Sequence, residues 1–282
     1  MRLAVFVSAL LPCFALAAQA PATGSAAAPP AMVSMALPSH GSNLLGVFYL
    51  AAGEAPHPTA ILLHGFPGFE QNLDLAQTMR RAGWNVLALH YRGSWGTGGD
   101  FSFAHCIEDA DTQVRFVLDP ANAQRYRIDS GKVIVVGHSM GGFMAASAAA
   151  HNPQVRAAVL ISAWNIGGPG APTEAEEAKS LSRDHDLDPL AGTSAEALAH
   201  EEFSHRAALQ LAGLAPQIAP RPVFIVTAND HSATSAQPFA AALKASADNQ
   251  VVLQHFETDH PYSGKRLELA EAVLHFSNSI VR

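Results

Sequence analysis

The stretch Lys132-Val133-Ile134-Val135-Val136-Gly137-His138-Ser139-Met140-Gly141-Gly142 decides how the rest of the chain is read. Its first half is an unbroken apolar, β-branched run, the pattern of a strand buried on both faces of a parallel sheet. Its second half is a serine flanked at two positions on either side by glycine, followed by the helical pattern Met140–His151. A sharp strand-to-helix turn of this kind holds a serine hydroxyl out at the sheet edge. The small neighbours are required because the strained turn and the close helix leave no room for side chains. Ser139 is therefore the candidate nucleophile.

Working outward, five further apolar runs read as strands: Ala60–Leu63, Val86–His90, Ala157–Ser162, Val223–Thr227 and Val251–Phe256. Helical patterns alternate with them at Leu73–Ala82, Asp109–Leu118, Ser235–Ala247 and Arg266–Ser279. This alternation predicts an α/β domain with a mostly parallel central sheet and helices on both faces. Met32–Leu37 and Leu44–Leu50 flank Ser39-His40-Gly41-Ser42-Asn43 and predict a hairpin before it. The alternation fails between Trp164 and Pro220, where two helical patches, Thr173–Ser182 and Ser194–Leu214, carry most of the local charge. An insertion of that length in a compact domain is expected to be functional, and 164–220 reads as a helical cap over the sheet.

A serine hydroxyl needs a base, and loops after parallel strands all open on the edge where Ser139 is presented. His260, in Glu257-Thr258-Asp259-His260-Pro261, follows the last strand run and is the expected base; His255 lies within that run and reads as a packed residue. The imidazole in turn needs an orienting carboxylate. Asp230 follows the run 223–227 at the same edge, whereas Asp259 is a chain neighbour of His260, and consecutive side chains diverge. Asp230 is preferred on that ground. Attack on a carbonyl also creates an oxyanion. The strand-to-loop sequence Leu63-His64-Gly65-Phe66-Pro67-Gly68 offers the Phe66 backbone N–H for it, with that of Met140 as the second donor.

Together these residues resemble the α/β-hydrolase superfamily over residues 32–282, with the helical insertion where that family carries its lid. Within it, His64-Gly65-Phe66-Pro67-Gly68, Tyr91-Arg92-Gly93-Ser94-Trp95-Gly96-Thr97-Gly98-Gly99 and Asp259-His260-Pro261-Tyr262-Ser263 look like the prolyl-oligopeptidase-like and dienelactone-hydrolase-like branch. Two departures stand out: the nucleophile is serine rather than the cysteine of dienelactone hydrolases, and the chain lacks the propeller of the large oligopeptidases. The resemblance implies a Ser139–Asp230–His260 triad acting on a small-molecule ester, with a short peptide as the alternative substrate, and no cofactor or metal. A binding protein on the same fold is disfavoured, because the triad and the elbow glycines are all present. Arg92 is left open between an anchor for a peptide terminus and a structural residue. Glu108, Asp109 and Asp111 read as first-turn acids of a helix.

Composition frames the rest. The chain has 282 residues, 49% of them hydrophobic and 15% charged, which is enough for one large core. Seventeen Lys+Arg against 24 Asp+Glu give a formal charge of −7, with no basic run, so nucleic acid is not an expected partner. Residues 1–18 read as a signal peptide. Met1-Arg2 precedes an apolar run from Leu3 and then small residues at Ala15-Leu16-Ala17, with cleavage expected near Ala17 or Ala18. Residues 19–31 read as a flexible Ala/Pro/Gly/Ser leader. The protein is accordingly expected to be exported, to the periplasm or outside the cell, with no stable membrane span after signal removal. Cleavage would leave Cys106 alone, so no internal disulfide is expected.

Overall fold

The computed structural model describes residues 28–183, 185–246 and 250–282. The expected signal peptide and most of the leader lie outside the described residues. The first strand, β1 (Ala31–Ser39), begins on the last residue assigned to the leader and pairs antiparallel with β2 (Ser42–Leu50). Only His40 and Gly41 turn the chain, at φ 45° and 86°. Two central residues at positive φ match the right-handed twist of the flanking strands, so Asn43, expected in the turn, pairs within the ladder instead.

The sheet continues with β3 (His57–Leu63), β4 (Asn85–Leu89), β5 (Ile128–His138), β6 (Ala157–Ile161), β7 (Val223–Thr227) and β8 (Val251–His255). Their order is β1-β2-β4-β3-β5-β6-β7-β8, and every pairing beyond β2–β4 is parallel. After β3 the chain steps to one side for β4 and returns to the other for β5. The crevice at the carboxyl ends of β3 and β5 is thus a topological switch point, where such sheets place their sites.

Alternate residues of the central strands enter two separate cores. Ile61, Val133, Val135 and Leu160 face one cluster, while Leu62, Ile134, Val136 and Val159 face the other. The first core is closed by α2 (Phe103–Leu118), α4 (Met140–His151), α7 (Leu211–Ile218) and α8 (Ser232–Ser246), the second by α1 (Leu73–Arg81) and α9 (Arg266–Ile280). Each fully buried Val, Leu or Ile in these layers contributes about 1.5–3 kcal/mol, which is why a strand buried on both faces needs no polar alternation. Helix α4 is buried on all sides from Met140 to Ala149, as its Ala-rich sequence without a polar face requires.

Several elements differ from expectation. Helix α2 starts at Phe103 under an N-cap from Ser102, whose Oγ accepts from His105 N at 3.1 Å. Glu108, Asp109 and Asp111 are therefore mid-helix. Asp109 is fully buried and holds Arg92 through both its backbone N and its Nε, each at 2.8 Å, and Ser39 Oγ at 2.6 Å. A short helix α3 (Pro120–Tyr126) follows, capped by Asp119 with proline at its first position. Strand β8, expected to be covered on both faces, forms the far edge of the sheet, and Val252 to His255 are exposed. A continuous apolar run does not distinguish an edge strand from a central one.

In the insertion, α5 (Glu174–Leu181) and α6 (Ala195–His205) pack on each other, under N-caps from Thr173 and Ser194. The second expected patch, Ser194–Leu214, breaks after His205. Only its last residues, from Leu211, are in α7, which packs on α4 and α8 with Leu211, Ala215 and Ile218 buried. Residues 211–218 are thus part of the helical layer rather than of a cap. No helix among the described residues is long and apolar enough to cross a membrane.

Candidate active site

Ser139 sits at φ 56° and ψ −121°, a conformation that costs a non-glycine residue about 1–3 kcal/mol and survives only when its surroundings fix it. Here they do. Ser139 N donates to Ile161 O, and Ser139 O accepts from Gly142 N and Trp164 N, all at 2.9 Å. The elbow glycines are steric necessities: a Cβ on Gly137 would lie 1.8 Å from Gly141 O, and one on Gly141 2.0 Å from Leu63 O.

The loop after β3 lies against the serine, since a Cβ on Gly65 would come within 3.0 Å of Ser139 Cβ. It is held from below by its own histidine. His64 Nδ1 lies 2.8 Å from Gly65 O, a carbonyl that only accepts, so Nδ1 carries the proton and Nε2 accepts from His90 Nδ1 at 3.3 Å. Burial first, and then His90, pull the His64 pKa down to about 3, so the ring is a neutral fixture. Tyr91 Oη donates to His64 O at 3.2 Å and Trp95 Nε1 to Pro67 O at 2.8 Å. The loop is thereby fixed with Phe66 N–H and Met140 N–H both lacking a hydrogen-bond partner among the described residues.

His260 follows β8, and its Nδ1 lies 2.7 Å from Asp230 Oδ2. The other Asp230 oxygen accepts from Ser232 N at 2.8 Å and from Ser232 Oγ. Burial works against ionisation of this carboxyl, but hydrogen bonds from His260, Ser232 and Ser162 outweigh it and hold Asp230 well below the usual carboxylate range. Asp259 instead accepts from Ser263 N at 2.7 Å and closes its own loop. His255, expected to be packed, is on the exposed edge strand, tied to Thr227 Oγ1 and Asn229 Oδ1. Ser139 Oγ has no hydrogen-bond partner among the described residues. The elbow and the His260 loop are joined one residue earlier, where His138 Nε2 lies 3.0 Å from His260 O.

Three supports were not anticipated. His138, Ser232 and Tyr262 each hold part of the Asp230–His260 pair, Tyr262 Oη through Ser162 Oγ at 2.9 Å. Two of them lay in stretches already singled out, His138 in the elbow and Tyr262 in the phrase after His260. Arg92 is buried and engaged by Asp109, Glu108 and His105 O, which makes it structural. Cys106 is buried, and burial and then Asp109 push its thiol pKa up, away from reactivity.

The chain is similar to several known proteins. Residues 58–254 match the family model described as alpha/beta hydrolase fold. Among solved structures, an esterase of Pyrobaculum calidifontis shares 19% identity with a TM-score of 0.65, over 89% of this chain and 85% of that one. A thermophilic carboxylesterase cloned from a metagenomic library shares 19% identity at a TM-score of 0.66, over 90% and 91%. A thermostable carboxyl esterase from Bacillus coagulans shares 16% at 0.68, over 89% and 99%. Acylamino-acid-releasing enzyme 1 of Oryza sativa subsp. japonica is 28% identical in an alignment 142 residues long that covers 43% of this chain but only 18% of that protein. That last likeness fits the prolyl-oligopeptidase-like phrases of the sequence. With a family model spanning most of the sheet, from β3 into β8, the chain belongs to the alpha/beta hydrolase fold family.

Proposed function

We propose that the protein is an exported serine hydrolase that cleaves carboxylic esters through an acyl-enzyme. The observation that carries this reading is the convergence of the strained Ser139, the Asp230–His260 pair and two N–H groups unpartnered among the described residues at one sheet edge. Ser139 Oγ attacks the acyl carbonyl while His260 Nε2 takes its proton, and Asp230 holds the Nδ1–H tautomer. The oxyanion is received by Phe66 N–H and Met140 N–H, each such donor being worth about 3–4 kcal/mol in the transition state. His260 returns the proton to the leaving alkoxide, and water, activated by the same imidazole, releases the acid and restores Ser139. These steps need no metal or cofactor.

The esterase names of the structural relatives support ester cleavage. The alternative, cleavage of a short peptide, is favoured by the stretch of likeness to the acylamino-acid-releasing enzyme. Against it, Arg92, the cation in the loop after β4, is already engaged by Asp109, Glu108 and His105 O. The deciding measurement is kcat/KM on an ester and an amide sharing one acyl group, for wild type and Ser139→Ala. Ester turnover is expected to dominate and to fall by about 10⁴-fold or more in the variant. Comparable amide turnover would move the protein to the peptidase reading, and activity that survives Ser139→Ala would remove Ser139 as nucleophile. Export is tested by reading the amino terminus of protein recovered outside the cytoplasm, where a start near residue 18 or 19 is expected and an intact Met1 would contradict processing.

A further inference from the structure

His138 occupies the variable position of the elbow, directly before Ser139. As the last residue of β5 it pairs with Ile161 and shares the sheet face of Ile134 and Val136, the face on which the β8–α9 loop lies. Only 3% of it is exposed. Its Nε2 is 3.0 Å from His260 O, and because a carbonyl only accepts, the proton is on Nε2. Nδ1 is then a bare acceptor, buried and without a partner among the described residues. The two imidazole rings lie 4.7 Å apart, tilted by 42°, and Tyr262 closes the other side of His138 at 6.5 Å.

The arrangement is more than packing. Three successive residues of the histidine loop are each tied to a different element: His260 O to His138 of β5, Pro261 O to Arg266 Nη1 of α9 at 3.0 Å, and Tyr262 Oη to Ser162 after β6. Among these ties His138 alone touches both the backbone and the ring of His260. Burial, and then the neighbouring His260, lower its pKa to about 4. A neutral ring therefore faces His260 when that residue becomes an imidazolium, and two adjacent cations are avoided.

We infer that His138 is a positioning residue for His260, donating its Nε2–H to the His260 carbonyl and supporting the imidazole face so that Nε2 of His260 is held toward Ser139. This inference rests on the serine-hydrolase reading above. The test uses the full chain as wild type, His138→Phe and His138→Gln, with active sites counted by stoichiometric labelling with a fluorophosphonate and turnover of a p-nitrophenyl ester expressed per labelled site. Phe keeps the buried ring without the donor, and Gln places an amide N–H near the former Nε2–H. The Phe variant is expected to lose roughly 10- to 100-fold in kcat with KM within about twofold, the size of effect a misplacement near 1 Å produces. Gln is expected to recover most of that loss. Wild-type kcat per labelled site in His138→Phe would overturn the inference, as would fewer labelled sites turning over normally, which is the signature of a folding role. Equal impairment of Gln and Phe would overturn the donor role. Wild-type protein that turns over ester without being labelled would instead break the serine-hydrolase reading itself, whatever the His138 variants do.

Discussion

The elbow and the cap are built by opposite means. At the elbow, position is set by backbone: three hydrogen bonds fix the Ser139 peptide, and two glycines leave no space for a Cβ. In the α5–α6 cap, position is set by side chains at helix ends. Glu201 of α6 reaches the first turn of α2, accepting from Phe103 N at 3.0 Å and Ala104 N at 2.7 Å, where a carboxylate also meets the positive end of the helix dipole. Backbone fixation tolerates almost no substitution, whereas side-chain attachment is worth a kcal/mol or so per contact and is open to change.

The sharpest way to break the elbow half of this comparison is Gly141→Ala. The added methyl would lie 2.0 Å from Leu63 O and 2.6 Å from His64 O, both backbone atoms that cannot rotate away. The β3 loop or the start of α4 must therefore shift. Because both are packed in the core, the expected cost is about 4 kcal/mol or more, at the extreme of single substitutions. Urea unfolding of the two proteins measures it. A loss below about 1 kcal/mol would mean that the elbow is held less rigidly than its contacts indicate.

The same contrast explains what could be read from sequence. The core strands β3, β5, β6 and β7 show as continuous apolar runs because both of their faces are covered, and the elbow shows because steric exclusion leaves a glycine signature. Asp230 could be preferred over Asp259 by chain geometry alone, and in the structure Asp259 bonds its own loop. What did not show depends on partners distant in the chain. Asp109 looks like a first-turn acid until β1 and Arg92 are folded against it. The apolar run of β8 looks central although no strand among the described residues follows it in the sheet. The patch 194–214 looks like one helix because amphipathic periodicity does not report that its two ends pack on different layers. Helix α3 leaves only a start signal, Asp119-Pro120, because it is too short to show periodicity. His138 is the most instructive case: the elbow motif leaves its position free, and only the register of β5 places it beneath His260.

The cap half of the comparison can be sharpened at Glu202, by a smaller effect. This carboxyl is 1% exposed on α6, its Oε2 has no hydrogen-bond partner among the described residues, and Arg206, at the C-cap of that helix, approaches only to 3.6 Å. Glu177 of α5 faces it across Gly170, where a Cβ would lie 3.2 Å from Glu177 Oε2 and 3.4 Å from Glu202 Oε1. Burial, and then the Glu177 charge, raise the Glu202 pKa to about 7, with Arg206 pulling the other way. An ordinary carboxyl titrates near 4.3, so the fold prefers the neutral acid. Its contribution to stability is fully present below the ordinary value and is lost as pH rises from there through about 7. Glu202→Gln keeps the shape and removes the ionisation. It is expected to leave Tm nearly unchanged at pH 5 and to raise it at pH 8 by about 2–4 °C for each kcal/mol relieved. An equal shift at both pH values would mean that packing rather than charge decides the effect. No shift at pH 8 would mean that the carboxylate is accommodated, and that the cap is held as firmly as the elbow.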